Sequence, residues 1–207
     1  AKLEVMVAVA IGLMAVLGIG ALFGAWELNA QTKELHNWLN ANNIIAELDY
    51  LTSEVRLKQY AHVISSTTAE FTQHEKEIED LKTEINGLIK EYEATIETDI
   101  DRQYYEAACA AWEKYLDATG DKFISLSRAM RLDEANAIML GDGFDAFNEF
   151  QVHFDALLEY NHAQAEEVSD LATGTGEQAS AVEELTATIT TVSNMAEDSA
   201  KAANEAS

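Results

Sequence analysis

Proline is absent from the 207 residues, and cysteine occurs once, as Cys109. Without proline nothing forbids long uninterrupted helices, and a tight all-β architecture, which depends on turn residues, is disfavoured. A single cysteine excludes an internal disulfide and a CxxC metal or redox pair. Within AACAAW it reads as a small helix-packing residue. Basic residues are scarce: 13 Lys and Arg stand against 37 acids, a formal charge of −24. From Leu132 onward the one Lys or Arg is Lys201. Such a surface repels nucleic acid and anionic headgroups, so neither is an expected partner. Glycine is limited to 10 residues, four of them within 5–26. Ala1 stands where an initiator methionine would, so upstream residues are expected.

What is present begins with a long apolar run. Val5–Trp26 carries no charge and as a helix spans about 33 Å, against roughly 30 Å of hydrocarbon in a bilayer. Lys2 and Glu4 close one end, Trp26 and Glu27 the other. A signal-peptide core is shorter, about 7–15 residues, so an uncleaved anchor in membrane lipid through 5–26 is the expectation. No turn cluster follows, and the same helix is expected to carry on to about Ile64, with Ile44, Leu48, Leu51 and Val55 on one stripe.

Ser65–Thr68 breaks that helix, and Thr67 with Glu70 reads as a capping box for the next. Phe71, His74, Ile78, Leu81, Ile85, Leu88 and Tyr92 form a heptad, uninterrupted across 75–95. Thr98 and Asp101 cap a third helix, expected to run to Met130 with Tyr105, Ala108, Trp112, Tyr115, Phe123, Leu126 and Met130 on one side. Gly120 weakens it locally. After a turn at 131–133, with Asp133 the N-cap candidate, a fourth helix carries Ile138, Phe144, Phe147, Phe154 and Leu158 to about Leu171; Gly141-Asp142-Gly143 marks a kink or bulge in it. Four amphipathic helices on short links predict an all-α, membrane-anchored antiparallel four-helix bundle with long helices. The expected domains are an anchor over 1–27, the bundle over 28–171 and a partial coiled-coil helix over 172–207. In that last segment Val182, Leu185, Ile189 and Val192 form a narrow stripe, suited to a thin helix that packs against its own kind.

Enzyme chemistry finds no support. Glu159-x-x-His162 is a single half of a di-iron site, the other histidines are scattered, and there is no haem motif, phosphate loop or nucleophile elbow. No cofactor and no metal are expected. An up-down bundle does gather Arg56, Lys58, His62, Lys76, Arg128 and Arg131 at its membrane-distal end. Arginine forks suit a carboxylate, so a small anionic ligand is one reading. The other is that these cations pair with the acids around them.

Two parts of the chain resemble the methyl-accepting chemotaxis receptors. Residues 1–171 have the layout of their anchor plus four-helix sensory module. Residues 173–207 are similar to the start of their methylation helix. There, modified sites sit as a small residue, two spacers, a Glu/Gln pair, two spacers and a small residue. Ser180-Ala-Val-Glu183-Glu184-Leu-Thr-Ala187 fits fully, and Gly174-Thr-Gly-Glu177-Gln178-Ala-Ser-Ala181 fits with glycine in the first small position. The resemblance implies methylation at Glu177 and Glu184, seven apart on one face, whereas Thr191 stands where a third site would fall. It also implies a homodimer in the cell inner membrane with the bundle extracytoplasmic, and ligands bound through distal arginines. A methyltransferase, kinase and adaptor would be partners only of a complete receptor. The family's second membrane helix, HAMP relay and kinase-binding tip are not found here, so a fragment or an internally deleted form, single-pass as given, is expected. The alternative is a membrane-anchored structural coiled-coil protein without a small-molecule ligand.

Overall fold

The computed structural model describes the backbone of residues 2–205 and the side chains of residue 9 and of 12–195. Six helices follow one another: α1 (Lys2–Ile64), α2 (Thr68–Glu93), α3 (Asp99–Ala118), α4 (Asp121–Arg128), α5 (Leu132–Leu140) and α6 (Asp142–Glu205). No strand occurs among the described residues. The chain divides into two compact units, residues 37–165 and residues 1–36 with 166–207.

Residues 37–165 form the four-helix bundle, with α3–α4 and α5–α6 acting as its third and fourth members. Polar bonds fix the directions. At one end Asn37 Nδ2 on α1 donates to the Thr95 carbonyl just after α2, at 2.8 Å, and the Thr98 and Tyr160 hydroxyls meet at 2.9 Å. At the other end the His62 ring on α1 meets Glu75 near the start of α2 and Ser127 near the end of α4. Neighbours therefore run antiparallel. The main core joins Ile45, Val55, Ile85, Tyr115, Phe150 and Leu157, among others. Each large aliphatic or aromatic side chain so buried contributes about 1.5–3 kcal/mol. A smaller second core lies at the α4–α5 end, made of Val63, Phe123, Ala135 and Met139.

The helix ends follow local chemistry. The Thr67 hydroxyl accepts from the Glu70 amide while the Glu70 carboxylate accepts from the Thr67 amide, a complete capping box. Thr98 Oγ1 accepts from the Asp101 amide at 3.1 Å. Several expected boundaries move. The second helix stops at Glu93, inside the stretch expected to be unbroken, because Ala94 caps it and Thr95 turns its hydroxyl back onto the Tyr92 carbonyl. The third breaks at Thr119-Gly120, where Thr119 Oγ1 takes the Tyr115 carbonyl. Met130 is not on the core side but half exposed, beyond the end of α4. Arg131, not Asp133, occupies the N-cap position of α5, with no side-chain cap bond.

The fourth helix breaks fully at Gly141, where a Cβ would come within 2.7 Å of the Ala137 carbonyl oxygen. A Cβ on Gly143 would lie 2.9 Å from Thr119 Cγ2 and from the Ile138 carbonyl oxygen, so the breaks in the third and fourth members pack against each other. Past Leu171, where an end was expected, α6 simply continues. Gly174 and Gly176 each cost roughly 1 kcal/mol against alanine, too little to stop a helix of otherwise favourable residues.

In the unit of residues 1–36 and 166–207, α1 and α6 run antiparallel. A Cβ on Gly24 would touch Ala179 at 3.8 Å, and the Thr190 hydroxyl lies 4.0 Å from Met14 Sδ. From Gly12 the first helix is long and apolar enough to cross a membrane, with none of that apolar window buried in the protein. Val16, Ile19, Leu22, Phe23 and Trp26 are all exposed. The side chains of Lys2 and Glu4, expected to flank the span, lie outside the described residues.

Candidate functional site

The far end of the bundle does bring His62, Arg128 and Lys58 together, through the acids of α2. Lys58 pairs with Glu77 at 3.0 Å. Bonds from Gln73 first, and then from Lys58, hold the Glu77 carboxyl down at about 2. Arg128 makes a two-point contact with Glu75 and adds a bond to Thr72 at 3.2 Å. The Arg128 bond is the main cause that lowers the Glu75 carboxyl. Lys76 pairs with Asp80 and Arg131 with Glu134, each along its own helix. Five of the six basic residues therefore have an acidic partner. Surface pairs of this kind are worth about 0–1 kcal/mol.

His62 is fully buried, with Nδ1 2.8 Å from Ser127 Oγ and Nε2 3.1 Å from Glu75 Oε1. Ser127 also stands 3.0 Å from the His62 carbonyl, positioned to donate to it. Serine has one hydrogen, so donation to that carbonyl obliges Nδ1 to donate as well, and only an imidazolium then serves Glu75 too. Burial pushes the ring toward its neutral form, against the pull of Glu75. A neutral ring serves both partners only with its proton on Nε2, donated to Glu75, and Ser127 must then turn its hydrogen to Nδ1.

Arg56 differs from the rest. Its guanidinium carbon lies 4.3 Å from the centre of the Phe147 ring and 5.6 Å from that of Phe144. Nη2 donates to the Tyr60 hydroxyl at 3.3 Å, and Nη1 is buried without a hydrogen-bond partner. No carboxylate pairs with it among the described residues. The neighbouring cleft between α1, α2, α3 and α4 is lined by Glu75, Glu79 and Asp121 with Lys82, so its field favours cations. On the aromatic side, Arg56 is the cation of this end without an acidic partner among the described residues. Behind it, the Tyr115 hydroxyl donates to Gln59, and Gln59 donates to Thr119 at 2.9 Å, a buried chain tying α1 to the break in the third member.

At the opposite end lies a polar node that no motif announced. Asp101, Tyr92 and Asn161 are all fully buried and hydrogen-bonded together. Asp101 reads in the sequence only as a helix-start residue. The one available signal was a polar Asn161 in register with the apolar face of α6. Glu177 and Glu184 stand exposed on α6, with Glu183 and Gln178 beside them, also exposed. Cys109 is half-buried beside Tyr105 and Trp112, and burial pushes its thiol up to about 11, which leaves it unreactive.

Comparison with known proteins bears on what such a bundle is for. A family profile described as "Four helix bundle sensory module for signal transduction" matches residues 1–175. A "Putative sensory transducer protein" of Acetivibrio thermocellus is 33% identical over 79 residues, 38% of this chain and 14% of that protein. The chain thus spans a small part of that relative's length. By the profile match, which covers the apolar run and the bundle alike, the chain belongs to the family of four-helix bundle sensory modules for signal transduction.

Proposed function

We propose that this chain is the sensory part of a methyl-accepting chemotaxis receptor, held in the inner membrane by 5–26 with its bundle outside the cytoplasm. The single observation that carries this reading is the family match across 1–175. A small anion binds beside Arg56, the one member of the basic zone whose charge no acid has claimed among the described residues. Binding shifts α6 against α1 between two packings, as a pair of homodimeric subunits. In a complete receptor Glu177 and Glu184 would be the methyl acceptors, each ester removing one negative charge from the helix that carries it.

Calorimetry on the full chain in detergent, against amino and dicarboxylic acids, tests the site. We expect one acid to bind and Arg56→Ala to weaken it about 10–100-fold, the worth of a charge-assisted bond. Arg56→Lys, which keeps the charge but loses the fork, should fall between. Binding by none, or equal binding by all three proteins, overturns the anion site. The pairing of the other five cations supports a second reading, a structural coiled-coil protein without a small-molecule ligand. Under that reading no acid raises the melting temperature.

A further inference from the structure

Asp101 sits in the first turn of α3, its side chain fully buried. Oδ1 accepts from the Tyr92 hydroxyl at 2.5 Å and from Asn161 Nδ2 at 3.3 Å. Oδ2 has no partner, and neither has Asn161 Oδ1 on an equally buried residue. Tyr92 faces the carboxyl from α2, Arg102 acts on it from α3, and Tyr160 adjoins the node from α6. Arg102 is itself paired with Glu93 at 3.4 Å. From α1 comes the uncharged Asn42, whose Nδ2 donates to the Asn161 carbonyl at 3.3 Å.

A carboxylate taken wholly out of water with no cation bonded to it normally gives up its charge. Both orphaned atoms are acceptors, and hydrogen is what the node lacks. One proton on Oδ2 removes the bare charge and turns an orphan acceptor into a donor. A metal ion would need room beside these oxygens, whereas a proton needs none.

We propose that Asp101 is a proton-binding site, held neutral between Tyr92 and Asn161, and that its ionisation loosens α6 from α2 and α3 at this end of the bundle. The proton is thus a second ligand of the module, bound at the end opposite Arg56. Burial raises the carboxyl above the ordinary aspartate range, against the bonds from Tyr92 and Asn161. The stability it confers is complete below the unfolded aspartate value. It is lost as pH rises through the higher folded value. The proton site stands on this geometry alone, and only its use as a signal rests on the sensory reading.

Infrared titration of the full chain in detergent tests it. The carbonyl band of a buried, protonated carboxylic acid should persist after the exposed aspartates have ionised, and Asp101→Asn should abolish it. Tyr92→Phe removes a donor that favours the carboxylate, so it should move the loss of the band to higher pH. The melting temperature should fall from the ordinary aspartate range up to the pH at which the band disappears and level off beyond it, and Asp101→Asn should remove that fall. A spectrum with no such band, or a band that Asp101→Asn leaves in place, overturns the proposal. Neither outcome depends on whether an anion binds at Arg56.

Discussion

Met130 holds φ at 57°, the one positive value at a non-glycine residue among those described. It ends α4: its amide donates to the Ser127 carbonyl at 2.9 Å, and the Arg131 amide donates to that of Leu126 at 3.0 Å. These are the two bonds of a Schellman cap, which normally places glycine in the left-handed position. A side chain there costs about 1–2 kcal/mol, and a half-exposed methionine returns little of it in packing. Met130→Gly should therefore raise stability by about 1 kcal/mol, allowing for the entropy glycine adds to the unfolded chain. Urea unfolding measures it, and a loss of stability would mean that the side chain packs more than its exposure implies. His62 and Arg56 show the same scale from the other side. Each was legible as a cation, but burial and aromatic packing, which no residue announces alone, decide whether either charge is available.

Among the elements, the starts of α2 and α3 were legible because a capping threonine and its partner lie three residues apart and close their bonds locally. The breaks at Thr119-Gly120 and Gly141 were legible only as weak points. Glycine states what a backbone can do, and its neighbours decide whether it must. Gly174 has nothing near its missing Cβ and stays inside α6, while Gly143 has Thr119 and Ile138 at 2.9 Å. Alanine should accordingly act in opposite directions. Gly143→Ala should destabilise the chain by about 1–3 kcal/mol, the usual cost of overpacking, and Gly174→Ala should strengthen its helix by up to about 1 kcal/mol. Thermal unfolding followed by circular dichroism reads both, and a neutral Gly143→Ala would mean that the two breaks do not support each other. The node of Tyr92, Asp101 and Asn161 was legible only in the polar Asn161 on an apolar face, which does not say what it meets. Its members sit 9, 60 and 69 positions apart, beyond any helical period.

For the molecule as a whole, the absence of proline together with four amphipathic stretches made the all-α class legible, and 22 uncharged residues in a row made the apolar run plain. How the bundle is partitioned is a matter of packing. Val63, Phe123, Ala135 and Met139 form a core separate from the main one, and both breaks lie between them. The consequence concerns cooperativity. A segment with its own small core can detach while the larger core stays folded, so the chain should open in two steps of unequal cost. Amide hydrogen exchange should then be faster across 121–140 than across 76–92 and 104–116, and a uniform rate would show one cooperative unit. Arg128 belongs to that detachable segment, His62 lies against it, and Arg56 reaches it through Tyr60, which packs on the second core. Any ligand held there would first be seen not as movement but as protection, in the slowed exchange of α4 and α5.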